Sequence, residues 1–266
     1  MDSSDAFYSE SPGDDHFHRV ISLHEEPIAD WEALSKEIPV LPRGWFELSR
    51  LSSEDRIEFT KEYWFAKLPF LSSDAEELEN RLRLFFDQLN DVGLFATQQT
   101  PQSPFEVHMV YSLAGHTVFF HGSPPATKES ISVLTKQFAN FTLPPDYLAF
   151  LEIHDGFCKY TDKGIIKMRE LSKTYLRFQK VLEGEDVLGL EGEGVNPTRL
   201  IPFYESSHLF AYQCFYADWY PFDEMGNVYF SQMEDSLGHF FDEKRIKPSR
   251  AYTTFLEWLL AYLEEV

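Results

Sequence analysis

Apolar residues recur along this chain at two different periods, and the changes of period mark out its elements. Ser52 or Ser53 caps a run through Ile57, Phe59 and Trp64, predicting a helix that stops before Pro69. A second helix opens on a capping box, Ser73 with Glu76. It carries Leu78, Leu82, Phe85, Phe86 and Leu89 at helical spacing, and Gly93 closes it. After a polar Gln-Gln-Thr-Pro break the period shortens to two. Phe105, Val107, Met109, Tyr111 and Leu113 alternate with other residues, as in a strand with one buried face. Ala114-Gly115-His116 turns that strand into a partner, Thr117 to His121. Residues 31–122 thus read as a helix–helix–hairpin unit. Trp31 and Leu34 begin an anchored segment that Pro39 and Pro42 keep irregular.

Gly122-Ser123-Pro124-Pro125 is the strongest boundary in the chain. Beyond it Ile131, Leu134 and Phe138 predict a helix, Gly164 to Met168 a short strand, and Arg169 to about Leu182 another helix. Leu200–Tyr204, Phe210–Tyr216 and Val228–Phe230 are strand candidates rich in aromatics, with Gly226-Asn227 as the turn before the last. Tyr252, Phe255, Leu256, Leu259 and Leu263 give a final helix one apolar face, and Glu264 and Glu265 oppose its dipole. Residues 183–194 hold five acids and four glycines without a base and read as an exposed loop. Residues 1–30 carry eight acids and one base and read as a flexible acidic arm.

One segment writes both of its ends into the sequence. In Leu143-Pro144-Pro145-Asp146-Tyr147-Leu148-Ala149-Phe150-Leu151-Glu152-Ile153-His154-Asp155-Gly156, proline stands where a helix has no N–H to lose. Asp146 suits the first turn and His154 the last, while Gly156 suits a left-handed cap. Tyr147, Leu148 and Leu151 supply an apolar face.

Composition narrows the function. With 44 acidic and 23 basic residues the formal charge is −21, which repels nucleic-acid backbones and anionic lipid and attracts basic partners. Aromatic residues make 16% of the chain, too many for a disordered protein. The polar, acidic stretch Met1–Pro12 does not read as a secretory signal, and no apolar run approaches the ~20 residues that span a bilayer. Cys158 and Cys214 match neither a CxxC nor a zinc spacing. They read as reduced buried thiols of a cytoplasmic protein, with a single bridge as the alternative.

The order Leu-Pro-x-Asp-Tyr, apolar pairs, then His-Asp-Gly resembles the opening helix of the SMI1/KNR4 (SUKH) superfamily. A preceding helix, the Ile201-Pro202-Phe203 strand, the Gly226-Asn227-Val228-Tyr229 strand and the Phe255-x-x-Trp258-Leu259 helix follow in family order. The resemblance covers residues 127–262 and implies an α+β domain, mixed helix and antiparallel sheet, that binds other proteins. Bacterial members are often immunity proteins against a toxin; fungal members are scaffolds in cell-wall and signalling pathways. The turn after the Ile-Pro strand departs from the pattern, since Glu205-Ser206-Ser207-His208 replaces a glycine-rich segment. Residues 1–125 have no family counterpart.

Catalytic and metal chemistry find little support in the sequence. Asp14-Asp15-His16-Phe17-His18 lies in the arm, which does not hold ligands in a fixed geometry. His108 and His116 approach across the predicted hairpin with no Cys or paired carboxylate nearby in sequence, and serve as the alternative, a hydrolase with dispersed residues. The 184–194 glycines lack a P-loop Lys-Ser/Thr and carry acids that repel phosphate. No cofactor or metal is expected. The strip from Tyr212 to Glu224 interleaves aromatics with acids, the mixture that meets Arg and Lys on a partner. Phe215, Trp219 and Phe222 are expected in the core. Tyr212, Asp218, Tyr220, Asp223 and Glu224, with Glu205, are the candidate partner-binding residues. The expectation is a 1–30 arm, a 31–122 α+β unit and a 127–266 SMI1/KNR4-like domain that binds a basic protein, toxin-like or signalling, without an enzymatic reaction. A regulatory scaffold or chaperone-like role is the close alternative.

Overall fold

The computed structural model of the chain describes residues 17–25, 30–70, 74–159, 162–189, 193–206, 211–221, 223–231, 241–242, 245–246 and 251–264. The fold is α+β, and the chain divides into two compact units. The first takes residues up to 125 together with 153–160; the second takes 126–152 and 161–265. Asp14, Asp15, His16, Ser73, Ser207, His208, Phe210, Phe222 and Glu265 lie outside the described residues.

In the first unit, five antiparallel strands lie in the order β1 (Arg19–Ser22), β2 (Leu89–Gln98), β3 (Glu106–Leu113), β4 (Val118–Gly122) and β5 (Phe157–Lys159). Helices α1 (Trp31–Glu37), α2 (Arg43–Leu48), α3 (Ser53–Lys67) and α4 (Ala75–Asp87) accompany them. Ser52 caps α3 by accepting the Asp55 N–H, and the helix ends before Pro69 as the pattern requires. Trp64 from α3 is fully buried among Phe85, Phe86, Tyr111 and Phe157, with ring centroids 5.6–6.3 Å apart. Those with Phe86, Tyr111 and Phe157 are edge-on, a geometry that adds to the area the rings bury.

Three expectations change here. Gly93 does not close α4, which ends at Asp87; a strand starts at Leu89 and runs to Gln98. Residues 92–97 are buried on both faces, so their sequence lacks the alternation that marks a half-exposed strand. A Cβ on Gly93 would sit 2.6 Å from the Phe95 ring, so packing, not capping, requires the glycine. Part of the expected arm is a strand, β1, whose Ile21 is buried against β2 in register Ile21↔Ala96. Between Pro39 and Ser52 the chain forms α2 with Pro42 at its N-cap.

Arg56 of α3 holds the start of β2. Its Nε donates to the Val92 carbonyl at 2.7 Å, Nη1 to Leu51 at 2.9 Å and Nη2 to Asp91 Oδ1 at 2.7 Å. Burial works to raise the Asp91 carboxyl, but the Ser53 hydroxyl, 2.6 Å away, and Arg56 hold it below its ordinary value. The ion pair is satisfied on all sides, as a buried pair must be.

The second unit holds the order β6 (Gly164–Ile165), β7 (Leu200–Ser206), β8 (Ala211–Tyr216), β9 (Asn227–Ser231) and β12 (Ala251–Tyr252), again antiparallel. A separate two-stranded ribbon joins β10 (Phe241–Asp242) to β11 (Arg245–Ile246). Its helices are α5 (Lys128–Gln137), α6 (Pro145–Leu151), α7 (Met168–Val181) and α8 (Phe255–Glu264). Tyr212, Cys214 and Tyr216 alternate toward Phe178 of α7, while Phe203 and Phe215 meet Tyr147 and Phe255 from α6 and α8. Helices therefore cover both faces, and all six residues of β8 are buried.

Motif boundaries shift as well. The Pro145 helix stops at Leu151, leaving His154 outside it, although Gly156 keeps a positive φ of 101°. Met168 opens α7 instead of ending a strand, and Tyr252 pairs in β12 with Asn227 instead of starting α8. In the 183–194 segment, Val187 is 2% exposed and Leu188 bridges to Gly194, so the glycine-rich stretch is anchored at its described ends.

Candidate functional site

In the second unit, the turn after β8 presents the acids the sequence singled out. Arg199, at the end of a single 3-10 turn, donates from Nε to Asp218 Oδ1 at 2.8 Å and from Nη2 to the Ala217 carbonyl at 2.8 Å. The Gly226 N–H donates to Trp219 O at 3.0 Å, and the Trp219 N–H to Tyr216 O at 3.0 Å. A Cβ on Gly226 would lie 2.3 Å from Trp219 Cε3, so the indole rests directly on glycine backbone. These contacts hold Asp218, Trp219 and Gly226 in place; Asp218 and Asp223 are exposed, Tyr220 is 47% exposed and Glu224 is partly covered. Partial burial raises the Glu224 carboxyl above its ordinary value.

Two candidates sit differently. Tyr212 is 4% exposed, its ring 4.8 Å from that of Phe178, so it belongs to the core and offers a partner no surface. The alternation that placed it beside Asp218 is correct, but α7 covers that face of the sheet. Glu205 is 12% exposed and pairs with Lys163 at 2.7 Å and with Arg177. It is therefore mostly covered as well as paired, whereas Asp218, paired with Arg199, keeps 47% of its side chain exposed. Phe215 is fully buried and Trp219 partly so, whereas Phe222 lies outside the described residues.

Beside Asp218, on the other side of Arg199, lies a cleft of about 580 Å³ lined by Phe138, Phe141, Tyr175, Leu176 and Thr198. The Arg199 guanidinium stacks over Phe141 at 5.5 Å, and Leu176 is 63% exposed. A cation–π contact leaves the guanidinium edge free to bond Asp218. No spacing in the sequence pointed to this cleft, because its walls come from α5, α7 and the segment before β7.

The motif residues explain themselves as structure. Asp146 Oδ2 accepts the Leu256 N–H at 2.7 Å and Oδ1 the Tyr147 N–H at 2.8 Å, so one buried carboxyl serves the start of α6 and of α8. Burial pushes this carboxyl up to about 6, against the pull of those N–H groups, and Glu224 adds repulsion. Asn227, fully buried, accepts from Gln213 at 2.7 Å and donates to Thr254 O at 2.9 Å, tying β9 to the residue before α8.

In the first unit, His108 and His116 are not brought together. The register Val110↔His121 and Leu113↔Val118 leaves them toward opposite ends of the hairpin. His116 Nδ1 lies 3.1 Å from Ser112 Oγ. His108 instead neighbours His121, with ring centroids 5.5 Å apart, and His121 Nε2 lies 2.9 Å from Cys158 Sγ. That cysteine is cross-strand from His121, a meeting of residues 37 apart that linear spacing did not reveal. Both cysteines are free thiols, and burial pushes Cys214 well above its ordinary value. Among the described residues no group of three His, Cys, Asp or Glu side chains is placed to hold a metal, and no helix is long and apolar enough to cross a membrane.

No curated protein and no solved structure matches the chain. The model of the SMI1 / KNR4 family (SUKH-1) matches residues 125–260, a span that takes in the Asp146 helix, the buried Asn227 strand and the exposed turn between β8 and β9. With half of its length matched, and with the motif positions occupied by residues that hold its core together, the chain belongs to the SMI1/KNR4 family (SUKH-1).

Proposed function

We propose that this chain is a non-catalytic, cytoplasmic protein-binding module that takes a basic protein partner on the acidic turn of its second unit. One observation carries the reading: Asp218, Tyr220, Asp223 and Glu224 project from a turn that Arg199, Trp219 and Gly226 hold in place. A half-exposed tyrosine contributes contact area and a polar tip, and carboxylates around it meet Lys or Arg. The surplus of acids speeds encounter with such a partner. An immunity-like role, occluding a basic toxin, and a signalling-scaffold role both use this surface. Tyr212 and Glu205 are not part of the proposed surface.

The test compares the full chain with a variant carrying Asp218→Asn, Tyr220→Ala and Asp223→Asn. Captured proteins are identified from source-cell lysate at low and raised salt. A basic protein retained near one-to-one by the wild type, released by salt and lost in the variant supports the proposal. Equal retention by both proteins removes this surface from consideration. A second reading rests on the contact between Cys158 and His121: a thiol beside an imidazole is the arrangement a cysteine hydrolase needs. Esterase or amidase activity abolished by Cys158→Ser, with partner capture intact, favours that reading instead.

A further inference from the structure

The first unit, most of which precedes the family match, carries a pocket of its own, to which the matched span adds Pro125, Ile153 and His154. A cavity of about 290 Å³ opens between α2, α3 and β3, walled by Trp45, Phe59, Tyr63, Trp64, Tyr111 and His154. Its size is at the lower end for ligand sites, enough for one bulky side chain. The floor is built rigidly. Trp64 Nε1 donates to Tyr111 Oη at 3.1 Å, and Tyr111 Oη lies 2.6 Å from His154 Nε2. His154 Nδ1 is 2.8 Å from the Ser123 carbonyl, which only accepts, so Nδ1 carries the proton and Tyr111 donates to Nε2. Burial lowers His154 to about 4 and raises Tyr111, which keeps both rings neutral at physiological pH.

The rim differs from the floor. Phe59 is 62% and Tyr63 44% exposed, one helical turn apart on α3, and such aromatics are costly to leave in water. Asp55, Glu58 and Glu62 are exposed on the adjoining side of the same helix, and Glu47 is exposed on α2. Two of these acids already face a base, Glu47 at 3.5 Å from Arg43 and Glu58 at 3.8 Å from Lys61, which also lies 3.4 Å from Asp87, while Lys67 sits over the Tyr63 ring.

We propose that this pocket is a second protein-recognition site, which takes one bulky apolar side chain of a partner segment whose flanking residues are Lys or Arg. The neutral floor rejects a charged group at the anchor position, and the acidic flank of α3 selects the cations beside it. This proposal does not depend on the surface around Asp218.

Gly44 gives the decisive variant. It lines the pocket on α2, and a Cβ there meets nothing within 4 Å. Gly44→Phe places a bulky ring at the pocket from a position with open space at its Cβ, and Phe59→Ala removes part of the rim from an exposed position. The probe is a fluorescent peptide, Lys-Arg-Gly-Phe-Gly-Lys-Arg, titrated with the full chain and read by anisotropy, with thermal unfolding to verify that each variant folds. Saturable binding is expected, weakened about tenfold or more when the peptide Phe becomes Ala, and likewise by Gly44→Phe. Glu58→Gln with Glu62→Gln is expected to weaken it severalfold and reduce its salt dependence, while the Asp218, Tyr220, Asp223 variant binds as the wild type does. A flat titration to millimolar protein overturns the proposal. So does equal binding of the Ala peptide, of a peptide with Ser in place of each Lys and Arg, or by the Gly44→Phe protein.

Discussion

Asp146 shows how much one buried carboxyl decides. Its folded value of about 6 stands above the ordinary 3.8. Between those values the native protein holds a proton that the unfolded chain has released, so stability is highest below the window and falls as pH rises through about 6. A shift of that size is worth on the order of 3 kcal/mol. Urea midpoints measured from pH 4 to pH 8 are expected to fall across the window, and Asp146→Asn is expected to flatten that slope. The two thiols make a second contrast. Cys158 is 8% exposed beside His121, while Cys214 is fully buried with its thiol pushed well up. Iodoacetamide under native conditions is expected to alkylate Cys158 first, read by peptide mass, with His121→Asn slowing it. Equal, slow labelling of both would show that the imidazole has no influence on the sulfur.

Among elements, two glycines predict opposite outcomes. Gly226 lies under the Trp219 ring, so Gly226→Ala forces the indole off the turn and is expected to cost about 1–3 kcal/mol. Gly44, in helix α2 with open space at its Cβ, is the reverse: Gly44→Ala is expected to add about 0.5–1 kcal/mol. Thermal midpoints check both signs. Arg56 belongs to the same scale, because it pins α3 to β2. Arg56→Met leaves Asp91 buried beside the Ser53 hydroxyl without its cation, and a loss of about 3–5 kcal/mol is expected from chemical unfolding. Helix α3 was legible because Ser52, the apolar spacing and Pro69 all act locally. Strand β2 was not, since a run buried on both faces has no period to distinguish it from a helix.

For the whole molecule, the expected binding is divided between the two units, the second of which holds most of the family match. Salt dependence is the common signature: with a formal charge of −21, association with a basic partner is expected to slow as ionic strength rises, mostly through the on-rate. Stopped-flow measurements between low and physiological salt check this. An on-rate indifferent to salt would mean that the acidic surplus does not steer the partner.

Local signals alone determined the α+β class, the capped α3, the β3–β4 hairpin and the order of motifs that resembles SMI1/KNR4. Each depends on neighbours within a few residues, where period, proline and capping chemistry act. Tertiary structure decided the rest, through contacts that no spacing encodes. Asp146 serves Leu256 across 110 residues, His121 meets Cys158 across 37, and Trp64 meets Tyr111 across 47. The covering of β8 by α7 sent Tyr212 to the core, and Lys163 with Arg177 took up Glu205. Exposure is a property of what packs opposite a residue, so the sequence turned Asp218, Tyr220 and Asp223 outward correctly but could not show that Tyr212 and Glu205 are covered.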